Sequence, residues 1–210
     1  MKIGAIIPDR NDRPEFLKNC KRMLAAQTVK FDKIELVNYK TKKKSYDLVD
    51  RYEKGYNALK DVDLVFFIEN DDWYSPRYVE KMLKQYIIAG RPNIFGTGYS
   101  IYYHIKRQVY MQMNHDGRAS AFNTILKSNM NIDWGDHKNP FLDLHLWRTI
   151  KGTTFNPITP ISIGIKHGIG LCGGMGHSND LQYRNKDINY MFLRNKMDSE
   201  SYNFYTQLFK

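Results

Sequence analysis

Short strand-like runs alternate with longer helical patterns along the first ninety residues. The runs predict strands at residues 3–7, 33–38 and 64–68. Between and after them, apolar residues recur every three or four positions and predict amphipathic helices at residues 16–24, 46–59 and 79–87. This alternation is typical of parallel strands joined by right-handed crossovers, with helices on both faces of the sheet.

The pattern changes from Ile94 onward. Longer runs rich in tyrosine predict a small region of mixed or antiparallel strands at residues 95–104 and 108–113, and a further strand at 161–165. Helices are predicted at residues 119–127, 142–150, 188–196 and 202–209. We therefore expect one α/β domain, in which residues 1–92 form a ligand-binding half and residues 93–210 complete it.

The third strand ends in an acidic cluster. Leu64–Ile68 is wholly apolar, and Glu69, Asp71 and Asp72 follow it within four positions. Ligands of open α/β sheets bind outside the carboxyl ends of the strands, and clustered carboxylates repel one another unless a cation or a proton compensates them. A divalent cation bound with a phosphorylated ligand would do so. Alternatively, these acids form a solvated turn before a helix that begins at Pro76, with Ser75 as its N-cap.

Net charge, cysteine number and the length of apolar runs limit the partners, the bound groups and the location that the chain can have. The 32 basic residues outnumber the 22 acidic residues and give a net charge of +10, which favours polyanions such as nucleic acid or anionic lipid as partners. The two cysteines, Cys20 and Cys172, are far apart and suggest neither a disulfide framework nor a zinc site. No run reaches transmembrane length, and the first apolar run is too short for a signal peptide. We therefore expect a cytoplasmic protein.

Two motifs resemble those of a known family. Residues 6–17, Ile-Ile-Pro-Asp-Arg-Asn-Asp-Arg-Pro-Glu-Phe-Leu, with Gln27-Thr28 after the helix, resemble the opening of family 2 glycosyltransferases. Residues 67–72, with Pro76 beyond them, are similar to the metal-binding Asp-x-Asp segment of that family. The resemblance covers roughly the first ninety residues. It implies a GT-A (Rossmann-like) fold, a UDP- or GDP-sugar donor, and Mn²⁺ or Mg²⁺.

The resemblance also implies roles for individual residues. Asp71 would ligate the metal. The nucleotide-sugar would be bound by Pro8, Asp9, Asn11, Asn38, Glu69 and Asp72. The chain departs from the family at Asn38-Tyr39, where the family usually has an aspartate that reads the base, so the donor base is left open.

A later segment supplies a candidate base. Residues 143–148, Asp-Leu-His-Leu-Trp-Arg, are similar to the Glu-Asp-x-x-Leu-Trp-x-Arg segment of the family, which implies that Asp143 is the catalytic base. In an inverting transfer, a carboxylate accepts the proton of the acceptor hydroxyl as that oxygen attacks the anomeric carbon. Alternatively, Asp143 is a surface acid placed early in a helix, where the helix dipole favours it.

A glycine-rich segment lies late in the chain. Residues 168–173 match G-x-G-x-x-G, but residues 174–180 are too rich in glycine and polar residues to begin the helix that a dinucleotide site requires. A lid loop or a flexible surface turn fits this composition better. His167 and His177 flank the segment, and the resemblance implies that a late histidine completes the metal site or contacts the diphosphate.

Together these features predict a metal-dependent, inverting glycosyltransferase of hexosyl type. Its acceptor would be a hydroxyl group. The net positive charge of the chain suggests that this hydroxyl belongs to an anionic polymer, such as a hydroxymethylated DNA base or a cell-surface glycan. Two alternatives stay open. A nucleotidyltransferase shares the sheet and the metal, although the opening loop lacks a glycine-rich phosphate cradle. A non-catalytic nucleic-acid-binding module would explain the charge but not the acidic strand end.

Overall fold

The computed structural model of the chain describes residues 1–40, 46–168 and 185–208. Its strands are β1 (Ile3–Asp9), β2 (Lys33–Asn38), β3 (Leu64–Phe67), β4 (Trp73–Tyr74), β5 (Ile94–Thr97), β6 (Tyr99–His104), β7 (Val109–Asn114), β8 (Thr124–Lys127), β9 (Gly152–Phe155), β10 (Ser162–Lys166) and β11 (Asn185–Lys186). Its helices are α1 (Pro14–Ala25), α2 (Leu48–Ala58), α3 (Tyr78–Ile88), α4 (Leu142–Thr149), α5 (Met191–Lys196) and α6 (Ser199–Gln207).

The main sheet contains the predicted parallel strands. Its order is β2-β1-β3-β8-β5-β9, in which β1 pairs in parallel with both β2 and β3, and β5 pairs in parallel with β9. Strand β8 lies antiparallel between β3 and β5. The predicted α/β fold with a mostly parallel central sheet is therefore confirmed, and the carboxyl ends of β1, β2 and β3 lie at one edge.

Both faces of the main sheet are covered. Along β1, Ala5 and Ile7 pack with residues of α1 and α3, whereas Ile6 packs on the opposite face with residues of α2 and α4. Strand β3 divides in the same way, with Phe66 on the first face and Phe67 on the second. Burial of alternate residues on both faces explains why this strand is apolar without interruption.

A second, smaller sheet forms the predicted mixed-strand region. Its order is β11-β7-β6-β10-β4, with β6 and β7 antiparallel and β10 parallel to β6. The predicted strand at 95–104 is divided at Gly98, so that β5 belongs to the main sheet and β6 to the second. A Cβ atom at Gly98 would lie 2.6 Å from Asn156 Oδ1, which accounts for glycine at this bend.

Two local predictions were wrong. Residues 119–127 are not a helix but a short 3₁₀ turn, Ala121–Asn123, followed by β8. A short apolar run has no period that distinguishes a helix from a strand. Pairing between β3 and β5 makes these residues a strand. Helix α3 begins at Tyr78 rather than Pro76, and Ser75 accepts from the Tyr78 amide through its backbone carbonyl rather than acting as a side-chain cap. Within the described part of the chain, no helix has the length and hydrophobicity needed to cross a bilayer.

Candidate functional site

The acidic cluster lies where the main sheet and β10 meet. Glu69, Asp71 and Asp72 each offer a carboxylate oxygen, and these atoms lie within 4.8 Å of one another. Asp72 is 1% exposed, and its Oδ1 accepts a hydrogen bond of 2.7 Å from the amide of Ile165. Its Oδ2 is buried and has no hydrogen-bond partner among the described residues. Three hard oxygen donors in one place match the preference of Mg²⁺ or Mn²⁺.

The three carboxyl groups differ in their affinity for a proton. Burial, reinforced by the charge of Asp71, raises the pKa of Glu69 to about 7. Burial and the charges of its two acidic neighbours raise the pKa of Asp72 well above its usual value. Burial opposes ionisation of Asp71 as well, but the Arg13 guanidinium and His167 outweigh it and hold the pKa of Asp71 well below its usual range.

Arg13 reaches into this cluster from the start of α1. Its Nη1 donates to Asp71 Oδ2, and its Nη2 donates to Asn70 Oδ1 over 3.2 Å. Asp12 lies 3.5 Å from its Nε. The Arg13 side chain is 13% exposed. Its positive charge already lies against Asp71, the residue that the resemblance assigned as a metal ligand. No signal in the sequence pointed to this contact.

His167 lies beside the same acid. It is buried, its Nε2 is 2.9 Å from Asp71 Oδ2, and its ring packs against Phe16 at 4.4 Å between centroids. The structure therefore brings His167 and Asp71 together, as a shared role at the metal site requires. His177, and all of the glycine-rich segment after Gly168, lie outside the described residues.

A cleft opens beside the cluster. Its lining includes Pro8, Glu69 and Asp71 and four basic residues, Arg10, Arg13, Arg51 and Lys166. Tyr46, Leu48 and Pro140 also line it. The Lys166 ammonium lies 4.9 Å from the centroid of the Tyr102 ring. Basic groups and carboxylates thus face the same space, where a phosphate and a divalent cation would be bound together.

The remaining candidate nucleotide residues join the strand ends to one another. Asp9 is 2% exposed, and its carboxylate accepts from Asn70 Nδ2 over 2.7 Å and from the amide of Asn11 over 3.2 Å. Asn11 has a φ of 59° and donates through its side chain to the carbonyl of Asn38 over 3.0 Å. These contacts join the segments that follow β1, β2 and β3, and the Asp9 carboxylate is directed at Asn70 and Asn11. Among the described residues that line the cleft, Asp9, Asn11 and Asn38 are not found.

A buried arginine donates hydrogen bonds to backbone carbonyls at the ends of β1 and β2. Arg51 of α2 is 1% exposed and donates to the carbonyls of Asp9, Val37 and Tyr39, the latter two over 2.9 and 2.7 Å. Its charge is compensated by Asp47, one helical turn earlier, at 2.7 Å. Sequence reasoning missed this residue, although the i, i+4 spacing of Asp47 and Arg51 was a usable signal.

Asp143 lies in the first turn of α4, as predicted, and faces another arginine. Arg118 Nη1 donates to its Oδ2 over 2.6 Å, and the two side chains are 27% and 16% exposed. Burial raises the pKa of Asp143, while the charge of Arg118 opposes that rise. The charge of Asp143 also contributes to the raised pKa of Glu69.

Among solved structures, the crystal structure of S. aureus TarS 1–349 in complex with UDP-GlcNAc has a TM-score of 0.53 to this chain, at 10% sequence identity. The fold is α/β and GT-A-like. The match covers 80% of this chain and 59% of that chain, so this chain spans about three fifths of the TarS fragment. A197 from STIV shares 14% identity with a TM-score of 0.44, covering 74% of this chain and 82% of that one. No family model and no curated protein matches the chain.

Proposed function

We propose that this protein is a glycosyltransferase that moves a sugar from a nucleoside-diphosphate sugar to an acceptor hydroxyl with inversion. The observation that carries the proposal is the cleft at the carboxyl ends of β1 to β3, where Asp71 and Glu69 face Arg10, Arg13 and Lys166. A diphosphate is the ligand that uses both sets of charges. Among enzymes with this fold, transfer from a nucleotide-sugar fits that ligand, and the family 2 resemblance of the first ninety residues agrees with it.

In this proposal, Asp143 is the general base. The acceptor oxygen forms a bond to the anomeric carbon as the bond from that carbon to the diphosphate oxygen breaks. The acceptor proton passes to Asp143, and the nucleoside diphosphate leaves with the bonding electron pair. Arg118 orients the Asp143 carboxylate through its 2.6 Å hydrogen bond. Lys166 stabilises the negative charge that develops on the leaving group.

The oxygen donors of Asp71, Glu69 and Asp72 fit a divalent cation, Mn²⁺ or Mg²⁺, and His167 adds a nitrogen beside Asp71. A cation bound there would neutralise charge on the departing diphosphate. The orphaned Oδ2 of Asp72 supports this site, because a buried carboxylate oxygen without a partner is costly.

The test is a panel of UDP- and GDP-sugars, with and without Mn²⁺, measured by calorimetric binding and by hydrolysis of the donor. We expect binding that depends on Mn²⁺, loss of that dependence in Asp71→Asn, and loss of turnover with retained donor binding in Asp143→Asn. Absence of nucleotide-sugar binding in the folded protein would overturn the proposal. Full activity of Asp143→Asn would show that another group is the base.

We also propose a polyanionic acceptor, because the chain carries a net charge of +10. Retention on DNA or on an anionic glycan should then fall steeply as salt increases. Failure to bind either polymer at low salt would remove this part of the proposal and leave the donor chemistry unaffected.

A further inference from the structure

Asp71 Oδ2 already has two partners within the chain. Arg13 Nη1 donates to it, and His167 Nε2 lies 2.9 Å from it. Arg13 Nη1 and His167 Nε2 are themselves 3.3 Å apart. The guanidinium thus stands where positive charge from a bound metal would otherwise be, in surroundings that screen it little from the acid.

A guanidinium and a divalent cation cannot both use this oxygen without strong repulsion. A cation that binds this oxygen must displace Arg13, which would then keep Asp12, 3.5 Å from its Nε, but lose its closest charge partner in a largely buried position. In the absence of ligand, Arg13 therefore lowers the affinity of the site for metal.

A nucleotide offers Arg13 a new charge partner. Arg13 lines the cleft next to Arg10 and Lys166, where the proposed diphosphate binds. The planar guanidinium fork matches phosphate oxygens as well as it matches a carboxylate. This step rests on the proposed function. We infer that Arg13 is the resident counter-cation of Asp71, that a divalent cation displaces it, and that the Arg13 guanidinium then pairs with the diphosphate of the donor. Metal and nucleotide bind cooperatively as a result.

The test measures Mn²⁺ affinity rather than turnover. Mn²⁺ is titrated into the wild type and into Arg13→Gln by calorimetry, first without nucleotide and then with saturating UDP or GDP. Wild type should bind Mn²⁺ weakly alone and about tenfold or more tightly with nucleotide, within the usual range of coupling between two sites. Arg13→Gln should bind Mn²⁺ about tenfold more tightly than wild type without nucleotide, and nucleotide should then add little.

Three variants serve as controls. Arg13→Lys keeps the charge but not the fork, so its affinity for Mn²⁺ alone should stay near that of wild type. Arg77→Gln removes an exposed arginine that pairs with Glu80 away from the site, and both Mn²⁺ constants should match those of wild type. Asp71→Asn should abolish Mn²⁺ binding whether or not Arg13 is present.

Equal or weaker Mn²⁺ binding by Arg13→Gln without nucleotide overturns the inference, as does an unchanged enhancement by nucleotide. Failure of the proposed function has a different signature. In that case no nucleotide or nucleotide-sugar binds to wild type, while the comparison of Mn²⁺ alone still reports whether Arg13 and metal compete for Asp71.

Discussion

Replacement of Arg118 by glutamine should move the acid limb of the activity profile to higher pH. Arg118 is 2.6 Å from the Asp143 carboxylate, and its positive charge favours the ionised form that a general base requires. When that charge is removed, the pKa of Asp143 rises, because burial of the carboxyl group is then opposed by the backbone hydrogen bonds at Asp143 and Leu144 but no longer by Arg118. The base is protonated at a pH at which wild type is still active.

The size of the effect follows from the geometry. The adjacent Arg118 guanidinium lowers the pKa of Asp143 relative to the same carboxyl group without it, and the partial exposure of both side chains limits the size of this effect. One unit corresponds to about 1.4 kcal/mol, or a tenfold change in the ionised fraction below the pKa. At a pH below both pKa values, kcat/KM of Arg118→Gln should therefore be about tenfold or more below that of wild type, and the difference should close as the pH rises.

The assay is kcat/KM for the donor and acceptor across pH 5 to 9, with Arg118→Lys as the charge-conserving control. The lysine variant should keep its acid limb close to that of wild type, whereas a merely structural role for Arg118 would lower activity equally at every pH. An acid limb in Arg118→Gln that stays in place or moves to lower pH would refute the assignment of Asp143 and Arg118.

Three other perturbations have defined outcomes. Lys166→Met should weaken nucleotide-sugar binding about tenfold or more in calorimetry, because a hydrogen bond to a charged group is worth about 1.5–3 kcal/mol; unchanged affinity would place the diphosphate elsewhere. Arg51→Met should lower the free energy of unfolding in urea by about 3–5 kcal/mol, because the carbonyls of Val37 and Tyr39 lose their donor and Asp47 loses its closest ion pair, although it keeps the one with Arg10; a change no greater than that of the exposed-site variant Arg77→Gln would contradict this. His137→Gln should lower the melting temperature at pH 6 and match wild type above pH 8. The hydrogen bond that His137 Nδ1 donates to the Asp50 carboxylate raises the pKa of His137, so its stabilising effect is full below the unfolded pKa and is lost as the pH rises through the folded pKa; a difference independent of pH would show that the ion pair contributes nothing.

The existence of β1, β2 and β3 and their parallel direction were predictable, because hydrophobic period and strand–helix alternation are local signals. The acidic strand end could be found for the same reason, since Glu69, Asp71 and Asp72 are neighbours in sequence. Strand β8 was not predictable, because its neighbours in the sheet, β3 and β5, decide its structure rather than its own period.

The compensating charges at the site could not be predicted in this way. Arg13 is 58 residues from Asp71 in sequence, and Arg118 is 25 residues from Asp143. Pairs of charged side chains at such separations leave no periodic pattern, and a chain with 32 basic residues offers many equivalent candidates. The sequence therefore located the acids and left their partners undetermined.

The charge partners within the chain bear on whether the acidic cluster needs a metal. From sequence, three acids in four positions imply a compensating cation from outside the chain. The structure instead provides part of this compensation from within, because Arg13 pairs with Asp71, and because burial and the charges of Glu69 and Asp71 raise the pKa of Asp72 well above its usual value. Charge balance alone is therefore weaker support for a metal than the sequence suggests. Under the proposed function, the case for a metal comes from the diphosphate, because Arg13 can pair with phosphate oxygens once a cation has displaced it from Asp71.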